Sequence, residues 1–172
     1  GRIFVGLRSY SAGRLGEKAA IGLSDSLHKL GIETKKLKTG TPARIDKRTI
    51  DYSKMTIQPG DEELSFFSFK PNRPIRKTYP CYLTRTTEET HEIIRSNLDK
   101  SPMYQGLIHG VGPRYCPSIE DKIVRFASNP SHHIFIEPEG LGTYEIYIQG
   151  FSTSLPADVQ ERMIRSLPGL EK

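Results

Sequence analysis

The feature that most constrains the fold is a turn rich in glycine and proline that leads directly into the start of a helix. Gly110 and Gly112 allow a close backbone approach or a positive φ, and Pro113 stiffens the turn after them. Ser118 has the Ser-x-x-acid spacing of a helix N-cap relative to Asp121. The sequence therefore predicts a helix that begins after Ser118. The apolar face of this helix would consist of Ile119, Ile123, Val124 and Phe126.

Cys116 lies in this turn, just before the predicted helix and close to Arg114. Unpaired N–H groups at a helix start favour an anion, and a neighbouring guanidinium does the same. The thiol is therefore a candidate reactive thiolate. The alternative is a buried small side chain beside a structural turn, and the residues of the turn alone favour it, because free cysteine is among the most commonly buried residues.

The N-terminal part of the chain predicts a strand, a helix and a second strand. Residues 3–7 and 34–38 have the pattern of short strands. This order is typical of an α/β unit. The helix between the two strands is predicted from Ala19, Ala20, Leu23, Leu27 and Leu30, which recur at helical spacing, and from Gly31, which follows where helices often end.

The turn Thr39–Arg44 places a glycine between two threonines. Its backbone N–H groups and hydroxyls could hold a phosphate or a ribose, and a plain loop is the simpler interpretation.

From residue 45 to residue 80 the sequence changes to short polar and aromatic pieces, which indicates a change of domain or an insertion. Further strands are predicted at residues 64–69, 81–84, 107–109, 132–136 and 143–148, the last two as a hairpin or as neighbours.

Two further helices are predicted. A capping box at residues 86–89 opens a helix that presents Ile93, Ile94 and Leu98 to the core, with His91 at the surface. The last helix is stopped by Pro168 and Gly169. Its buried face is predicted to contain Val159, Met163 and Leu167.

Composition bounds the class of protein. The formal net charge is +5, and no apolar run approaches the roughly 18 residues of a membrane span. Cys81 and Cys116 lack the spacing of a zinc site or a disulfide scaffold, and the paired His132 and His133 lack a third ligand, so we expect no metal and a reducing cytoplasm. The chain begins at Gly1 on a strand-like run, which suggests a fragment of a longer protein.

Basic residues cluster twice, and such clusters can meet the phosphates of a nucleotide or of RNA or can simply be solvated. The first cluster contains Lys35, Lys36, Lys38, Arg44, Lys47 and Arg48, and the second contains Lys70, Arg73, Arg76 and Lys77.

Several long blocks of this sequence resemble the family of tRNA uridine 5-carboxymethylaminomethyl-modification flavoenzymes, also called the glucose-inhibited division protein A family. The blocks are residues 37–46, 95–104, 110–126, 136–140 and 152–156. The resemblance covers essentially the whole chain, which looks like the middle part of such a protein. The family's N-terminal Gly-x-Gly-x-x-Gly flavin motif and its C-terminal helical domain are absent from this sequence.

The resemblance implies an enzyme that works with a partner GTPase. Together they would install an aminomethyl or carboxymethylaminomethyl group on C5 of the wobble uridine of certain tRNAs. The family's cofactors are FAD, NADH and methylenetetrahydrofolate as one-carbon donor, and the family enzyme is a homodimer. In the implied mechanism NADH reduces FAD, and a cysteine thiolate adds to C6 of the uracil so that C5 becomes nucleophilic.

The resemblance also implies a fold and a set of sites. The fold is α/β, part of a Rossmann-like FAD-binding domain (residues 1–44 and 136–172) that carries an inserted mixed α/β, NADH-side domain (residues 45–135). Cys116 matches the second of the family's two essential cysteines, and the first belongs to the N-terminal part outside this sequence, so the sequence leaves open which of the two attacks C6. In our hypothesis for the mechanism, Arg114 and Lys122 would orient phosphate or stabilise an oxyanion. The implied FAD contacts are Gly13, Arg14, Thr39, Gly40 and Thr41. The implied NADH segment is Gly112, Pro113, Arg114, Tyr115, Cys116, Pro117, Ser118, Ile119, Glu120, Asp121, Lys122, Ile123, Val124, Arg125 and Phe126.

This sequence departs from the family pattern near the flavin. Ala12 replaces a glycine, and Ala20 stands where the family has a flavin-contacting serine. The alternative function is a non-catalytic module that binds tRNA or the partner GTPase. Simple binding of a phosphate backbone would not require the turn that holds Cys116, and this feature separates the two hypotheses.

Overall fold

The computed structural model describes residues 1–14, 16–62, 67–69 and 78–172 and shows an α/β protein, as predicted. The strands are β1 (Ile3–Val5), β2 (Arg8–Tyr10), β3 (Arg44–Asp46), β4 (Thr56–Gln58), β5 (Cys81–Arg85), β6 (His133–Pro138) and β7 (Glu145–Gln149). The helices are α1 (Leu23–Lys29), α2 (Glu88–Arg95), α3 (Ile119–Arg125) and α4 (Ala157–Arg165), with 3₁₀ turns at Lys47–Thr49, Tyr52–Lys54 and Leu98–Lys100.

A five-stranded antiparallel sheet in the order β3-β7-β6-β5-β4 organises the fold. In the central strand β6, Ile136 pairs with Tyr82 of β5 on one side and with Ile148 of β7 on the other. Ile134 and Ile136 are buried on this strand, as the two-residue period of a strand requires. The predicted strands 132–136 and 143–148 are thus neighbours, as expected.

The hydrophobic core forms where one face of the sheet meets α2, α3 and α4. Ile94 of α2, Ile119 of α3 and Met163 of α4 are fully buried in it, together with Ile134 and Ile148 of the sheet. Burial of each such side chain stabilises the folded state by about 1.5–3 kcal/mol. The predicted face of the last helix is confirmed, because Val159, Met163 and Leu167 have no exposed surface.

Three details of the predicted helices are wrong. α2 is capped by Thr87 with Thr90 as its partner, one residue later than predicted, because the Thr86 hydroxyl instead contacts His91 Nε2 at 2.8 Å and accepts a hydrogen bond from His132 N–H. The same contact buries His91, which is 1% exposed. In α3, Val124 and Phe126 are exposed rather than in the core.

The N-terminal part differs from the predicted strand–helix–strand unit. The first strand ends at Val5, turns at Gly6 (φ +55) and pairs with β2 as a hairpin. The helix starts only at Leu23, because Gly22 holds a left-handed φ of +98. It ends before Gly31 (φ +77), as predicted, and has no buried residue.

Two other predicted strands are not formed, and a third predicted strand lies partly outside the described residues. Residues 34–38 have only the isolated parallel bridge between Leu37 and Val111, since β1 already pairs with β2. Residues 107–109 are irregular, because Gly106 (φ +74) and Gly110 (φ +128) bend the chain on both sides. Residues 64–66 of the predicted strand 64–69 lie outside the described residues, and residues 67–69 are not part of a strand.

The domain division remains a prediction. The sheet takes strands from residues 45–135 and from residues 136–172, and β6 crosses the predicted boundary between them. In the part of the chain that the structure describes, no helix has the length and apolar character needed to cross a membrane.

Candidate functional site

Three segments distant in sequence meet at one place: residues 36–41, residues 110–116 and residues 152–154, which connect β7 to α4. The Lys38 N–H donates to the Val111 carbonyl at 3.0 Å. Thr41 and Thr153 form an antiparallel bridge with N–O distances of 3.3 and 3.4 Å. The residues predicted to contact a flavin, 39–41, therefore lie between the cysteine turn and residues 152–154.

Glycine is required at two positions of this junction. A Cβ atom on Gly40 would lie 2.4 Å from the Thr153 backbone nitrogen, which no relaxation of a side chain can relieve. A Cβ atom on Gly110 would lie 2.9 Å from the Lys36 carbonyl oxygen, and Gly110 also holds a φ of +128. The glycines of the sequence motifs thus permit close backbone contact between segments.

Cys116 is exposed at the edge of the junction. The Thr39 hydroxyl donates to the Cys116 carbonyl at 3.1 Å and lies 3.9 Å from the Cys116 sulfur. The exposure contradicts the alternative in which this cysteine is a buried small side chain. The thiol can be reached by a substrate, and the backbone that carries it is anchored by Thr39.

The two predicted cations of this site have different environments. Arg114 is exposed, and its guanidinium carbon lies 5.1 Å from the centre of the Tyr115 ring. Lys122 is half-buried, and its Nζ donates to the Gly150 carbonyl at 3.0 Å. Burial lowers the pKa of Lys122, and the nearby Cys116 thiol acts in the opposite direction. Lys122 is therefore held by the Gly150 carbonyl and partly shielded from solvent, whereas Arg114 faces the solvent.

The predicted NADH segment divides into three groups by exposure. Residues Gly112, Arg114, Tyr115, Cys116, Val124, Arg125 and Phe126 are exposed, and Pro113, Pro117, Asp121 and Lys122 are half-buried. The buried residues Ser118, Ile119, Glu120 and Ile123 face the interior. Ser118 accepts a hydrogen bond from the Asp121 N–H at 3.1 Å, which confirms the predicted cap.

Glu120 has no exposed surface, and its carboxylate turns toward residues 152–154. Oε1 accepts hydrogen bonds from the Thr153 hydroxyl at 2.9 Å and from the Ser154 N–H at 3.1 Å. Oε2 has no hydrogen-bond partner among the described residues. Burial raises the pKa of this carboxyl, while its hydrogen bonds act in the opposite direction.

The other residues predicted for FAD surround a small cavity or lie near it. A cavity of about 180 Å³ is lined by the hydroxyl-bearing residues Thr39, Thr41, Thr153 and Ser154, and also by Arg2, Ile3, Phe4, Gly13, Gly40 and Ile108. The Arg14 side chain is ion-paired with Glu17 and Glu139, and Glu139 also binds Arg44. Arg14 thus closes a surface network between the N-terminal segment and the sheet.

Sequence reasoning missed the part played by Ser101 and residues 152–154. Ser101 Oγ lies 3.0 Å from Ser154 Oγ, and both residues are buried. The only signal was the run Ser152-Thr153-Ser154, which belongs to a block of the resemblance but carries no assigned role. Among the described residues no group of three or more histidine, cysteine and acidic side chains could hold a metal ion.

Part of the first basic cluster stacks on tyrosines. The guanidinium carbon of Arg44 lies 4.5 Å from the Tyr147 ring centre, and that of Arg48 lies 4.3 Å from the Tyr144 ring centre. The second cluster, at residues 70–77, lies outside the described residues.

Comparison with known proteins places the chain in a family. A family model described as glucose inhibited division protein A matches residues 1–172. The tRNA uridine 5-carboxymethylaminomethyl modification enzyme MnmG of Bdellovibrio bacteriovorus is 60% identical over 172 residues, which cover 99% of this chain and 27% of the relative. The enzyme of the same name from Synechocystis is 59% identical, with the same coverage of 99% and 27%.

Among solved structures, Aquifex aeolicus GidA in its form I crystal matches with a TM-score of 0.81 and 50% identity, covering 99% of this chain and 30% of that one. The form II crystal matches with a TM-score of 0.77. The chain spans 27% of the length of the two curated relatives described above. These matches confirm the resemblance in the sequence, and the chain belongs to the glucose-inhibited division protein A family.

Proposed function

We propose that this chain forms part of an enzyme that installs an aminomethyl or carboxymethylaminomethyl group on C5 of the wobble uridine of certain tRNAs. Its relatives from Bdellovibrio and Synechocystis are named as tRNA uridine 5-carboxymethylaminomethyl modification enzymes. The observation that carries the proposal is the convergence of three segments around the exposed Cys116. A surface that only held an RNA backbone would need no such thiol.

The flavin side of the site is assigned to Gly13, Arg14, Thr39, Gly40 and Thr41. The hydroxyls of Thr39 and Thr41 line the cavity of about 180 Å³, and such groups suit the phosphate, ribose and carbonyl oxygens of FAD. A cavity of this size fits only a portion of the cofactor, so the rest of the full-length protein would complete the site. When bound, FAD supplies hydride acceptance and one-carbon chemistry with methylenetetrahydrofolate as the donor.

The nicotinamide side is assigned to the exposed members of residues 112–126. Apart from the adjoining residues, no atom of the described residues lies within 4 Å of the position of a Cβ on Gly112, which leaves its backbone open to a ligand. Arg114 beside Tyr115 offers a positive charge for a phosphate and an aromatic face for a ring. The buried members of the segment hold these groups in place.

Cys116 is the proposed catalytic thiol. As a thiolate it would add to C6 of the uracil, forming an S–C6 bond while the C5=C6 electron pair moves toward the C4 carbonyl and makes C5 nucleophilic. After C5 has accepted the new group, loss of the C5 proton expels the thiolate. Lys122, which is held by the Gly150 carbonyl, would supply a positive charge toward the thiolate, and Arg114 can stabilise the developing oxyanion.

The remaining assignments follow the family. Residues 1–44 and 136–172 would belong to the FAD-binding domain and residues 45–135 to the inserted, NADH-side domain. The full-length protein would act in the cytoplasm as a homodimer with a partner GTPase.

The second candidate function is a non-catalytic tRNA-binding or partner-binding module. Lys47 Nζ lies 4.9 Å from the Tyr144 ring centre, beside the Arg48 stack on the same ring, and such basic and aromatic groups suit a nucleic acid. The acidic partners of this cluster argue against it, because Arg48 is ion-paired with Asp46 and Arg44 with Glu139.

One experiment separates the two functions in the full-length protein that contains this chain. Anaerobic addition of NADH is expected to bleach the flavin absorbance and to slow the labelling of Cys116 by iodoacetamide, with Cys81 replaced by serine. The binding module predicts tRNA binding that weakens with salt, together with no effect of NADH on either signal. That second pattern would overturn the proposed function.

A further inference from the structure

Glu120 lies within the predicted NADH segment, yet it cannot touch a ligand there. Its side chain has no exposed surface, and Oε1 accepts hydrogen bonds from the Thr153 hydroxyl at 2.9 Å and the Ser154 N–H at 3.1 Å, with a longer one from the Ser101 hydroxyl at 3.5 Å. The carboxylate therefore binds other residues of this chain and not a ligand.

The contacts at Glu120 join α3 to residues 152–154 and, through Thr153, to residues 39–41. One residue before it, the Ile119 N–H donates to the Ser152 carbonyl at 2.7 Å, so α3 and residues 152–154 are joined twice. Thr153 in turn pairs with Thr41, and Gly40 packs directly on the Thr153 backbone. A short chain of contacts thus connects α3 to the candidate flavin residues 39–41, while Cys116 lies on the turn that enters α3.

Burying a carboxylate at this position costs free energy, and its hydrogen bonds must offset that cost. Oε2 has no partner among the described residues, and an apolar side chain of similar size would avoid the cost of removing a charge from water. The bonds made by Oε1 supply what an apolar residue could not, because only an acceptor can fix the Thr153 hydroxyl and the Ser154 N–H together.

We propose that Glu120 is a positioning residue that holds residues 39–41, through Thr153, in fixed register with the turn that carries Cys116. This inference rests on the proposed function, in which the two sides of that junction bind FAD and NADH. Glu120 acts by accepting hydrogen bonds, so the neutral glutamine side chain, which retains one acceptor oxygen, can replace it.

The test compares Glu120→Ala and Glu120→Gln in the full-length holoprotein. The matched control is Met163→Ala, which removes an equally buried side chain from α4 that takes no part in the hydrogen bonds of Glu120. The measurements are the rate of flavin bleaching at saturating NADH, the affinity for NADH, and the rate of Cys116 alkylation with Cys81 replaced by serine. Each variant is measured at a temperature at which its circular dichroism shows it to be folded.

We expect Glu120→Ala to slow bleaching at saturating NADH by about tenfold or more, since a displacement of about 1 Å in a reacting pair costs up to about a hundredfold. Its alkylation rate should change by more than about threefold, while NADH affinity stays within about threefold of wild type. Glu120→Gln and Met163→Ala should keep all three values within about threefold.

The assignment of Glu120 would be overturned if Glu120→Ala kept the wild-type rates of flavin bleaching and Cys116 alkylation. It would also be overturned if Met163→Ala changed these rates as much as Glu120→Ala does. If the unsubstituted holoprotein is not bleached by NADH, the proposed nicotinamide role fails instead. The alkylation rates, which need no NADH, then decide the role of Glu120 by themselves.

Discussion

Replacement of Gly40 by alanine tests whether the three segments are packed as described. The added Cβ would lie 2.4 Å from the Thr153 nitrogen and 2.7 Å from both Thr153 Cα and the Thr153 carbonyl carbon. All three are backbone atoms, so rotation of a side chain cannot make room. The backbones of residues 39–41 and 152–154 must separate.

The expected cost follows from what the separation breaks. The two hydrogen bonds between Thr41 and Thr153, at 3.3 and 3.4 Å, contribute about 0.5–1.5 kcal/mol each. Overpacking of a tight contact adds about 1–3 kcal/mol. The free energy of opening this junction should therefore fall by about 2–6 kcal/mol, or to zero if the junction is less stable than that.

Hydrogen–deuterium exchange of the full-length protein, read by mass spectrometry, measures this local free energy. Peptides that cover residues 36–44 and 150–156 should exchange at least about 30-fold faster in Gly40→Ala, because each 1.4 kcal/mol corresponds to about tenfold. The control is Gly142→Ala, where the added Cβ would have no atom within 4 Å in the described part of the chain, apart from its adjoining residues, and φ is not left-handed. Unchanged exchange of both peptides in a folded Gly40→Ala protein would refute the described packing.

Two further predictions concern the core and its pH dependence. Ile148→Ala on β7, where the side chain has no exposed surface, should lower the free energy of unfolding by about 2–5 kcal/mol in urea titrations, and a loss below about 1 kcal/mol would contradict the described core. Burial lowers the pKa of both His91 and His132, so the folded state takes up protons less readily than the unfolded chain. Stability should therefore be retained above the ordinary histidine value of about 6.5 and decline as the pH falls below it. His91→Gln should flatten that decline, and an unchanged slope would count against the buried, neutral His91.

The sequence predicted best the elements whose signals are local. The Ser118 cap on Asp121, the end of α1 before Gly31 and the buried face of α4 each depend on residues a few positions apart. The pairing of β6 with β7 was also predictable, because the two strands follow each other with a short turn between them.

The missed features depend on contacts between distant residues. Nothing near residues 34–38 shows that β1 would pair with β2 and leave this segment with a single bridge to Val111. His91 looks like a surface residue of an amphipathic helix until Thr86 and His132 are brought against it. The burial of Glu120 against Thr153 and Ser154 likewise needs the fold, since these residues are 33 and 34 positions apart from it.

In the candidate site, too, the sequence predicted local segments but not the contacts between distant residues. The resemblance assigned Gly40 and Cys116 to separate sites and contained residues 152–154 without a role. Their meeting at a single junction came only from the structure, through the bridges of Leu37 with Val111 and of Thr41 with Thr153.

The most direct test of the central claim is nucleoside analysis of tRNA from cells whose only copy of the full-length protein carries Cys116→Ser. Cys81→Ser is the matched control, because Cys81 lies on β5, away from the junction, and burial raises the pKa of its thiol. We predict that the aminomethyl-type substituent at C5 of the wobble uridine is lost with Cys116→Ser and retained with Cys81→Ser. Wild-type levels of the modified nucleoside in the Cys116→Ser cells would contradict the assignment of Cys116 as the catalytic thiol.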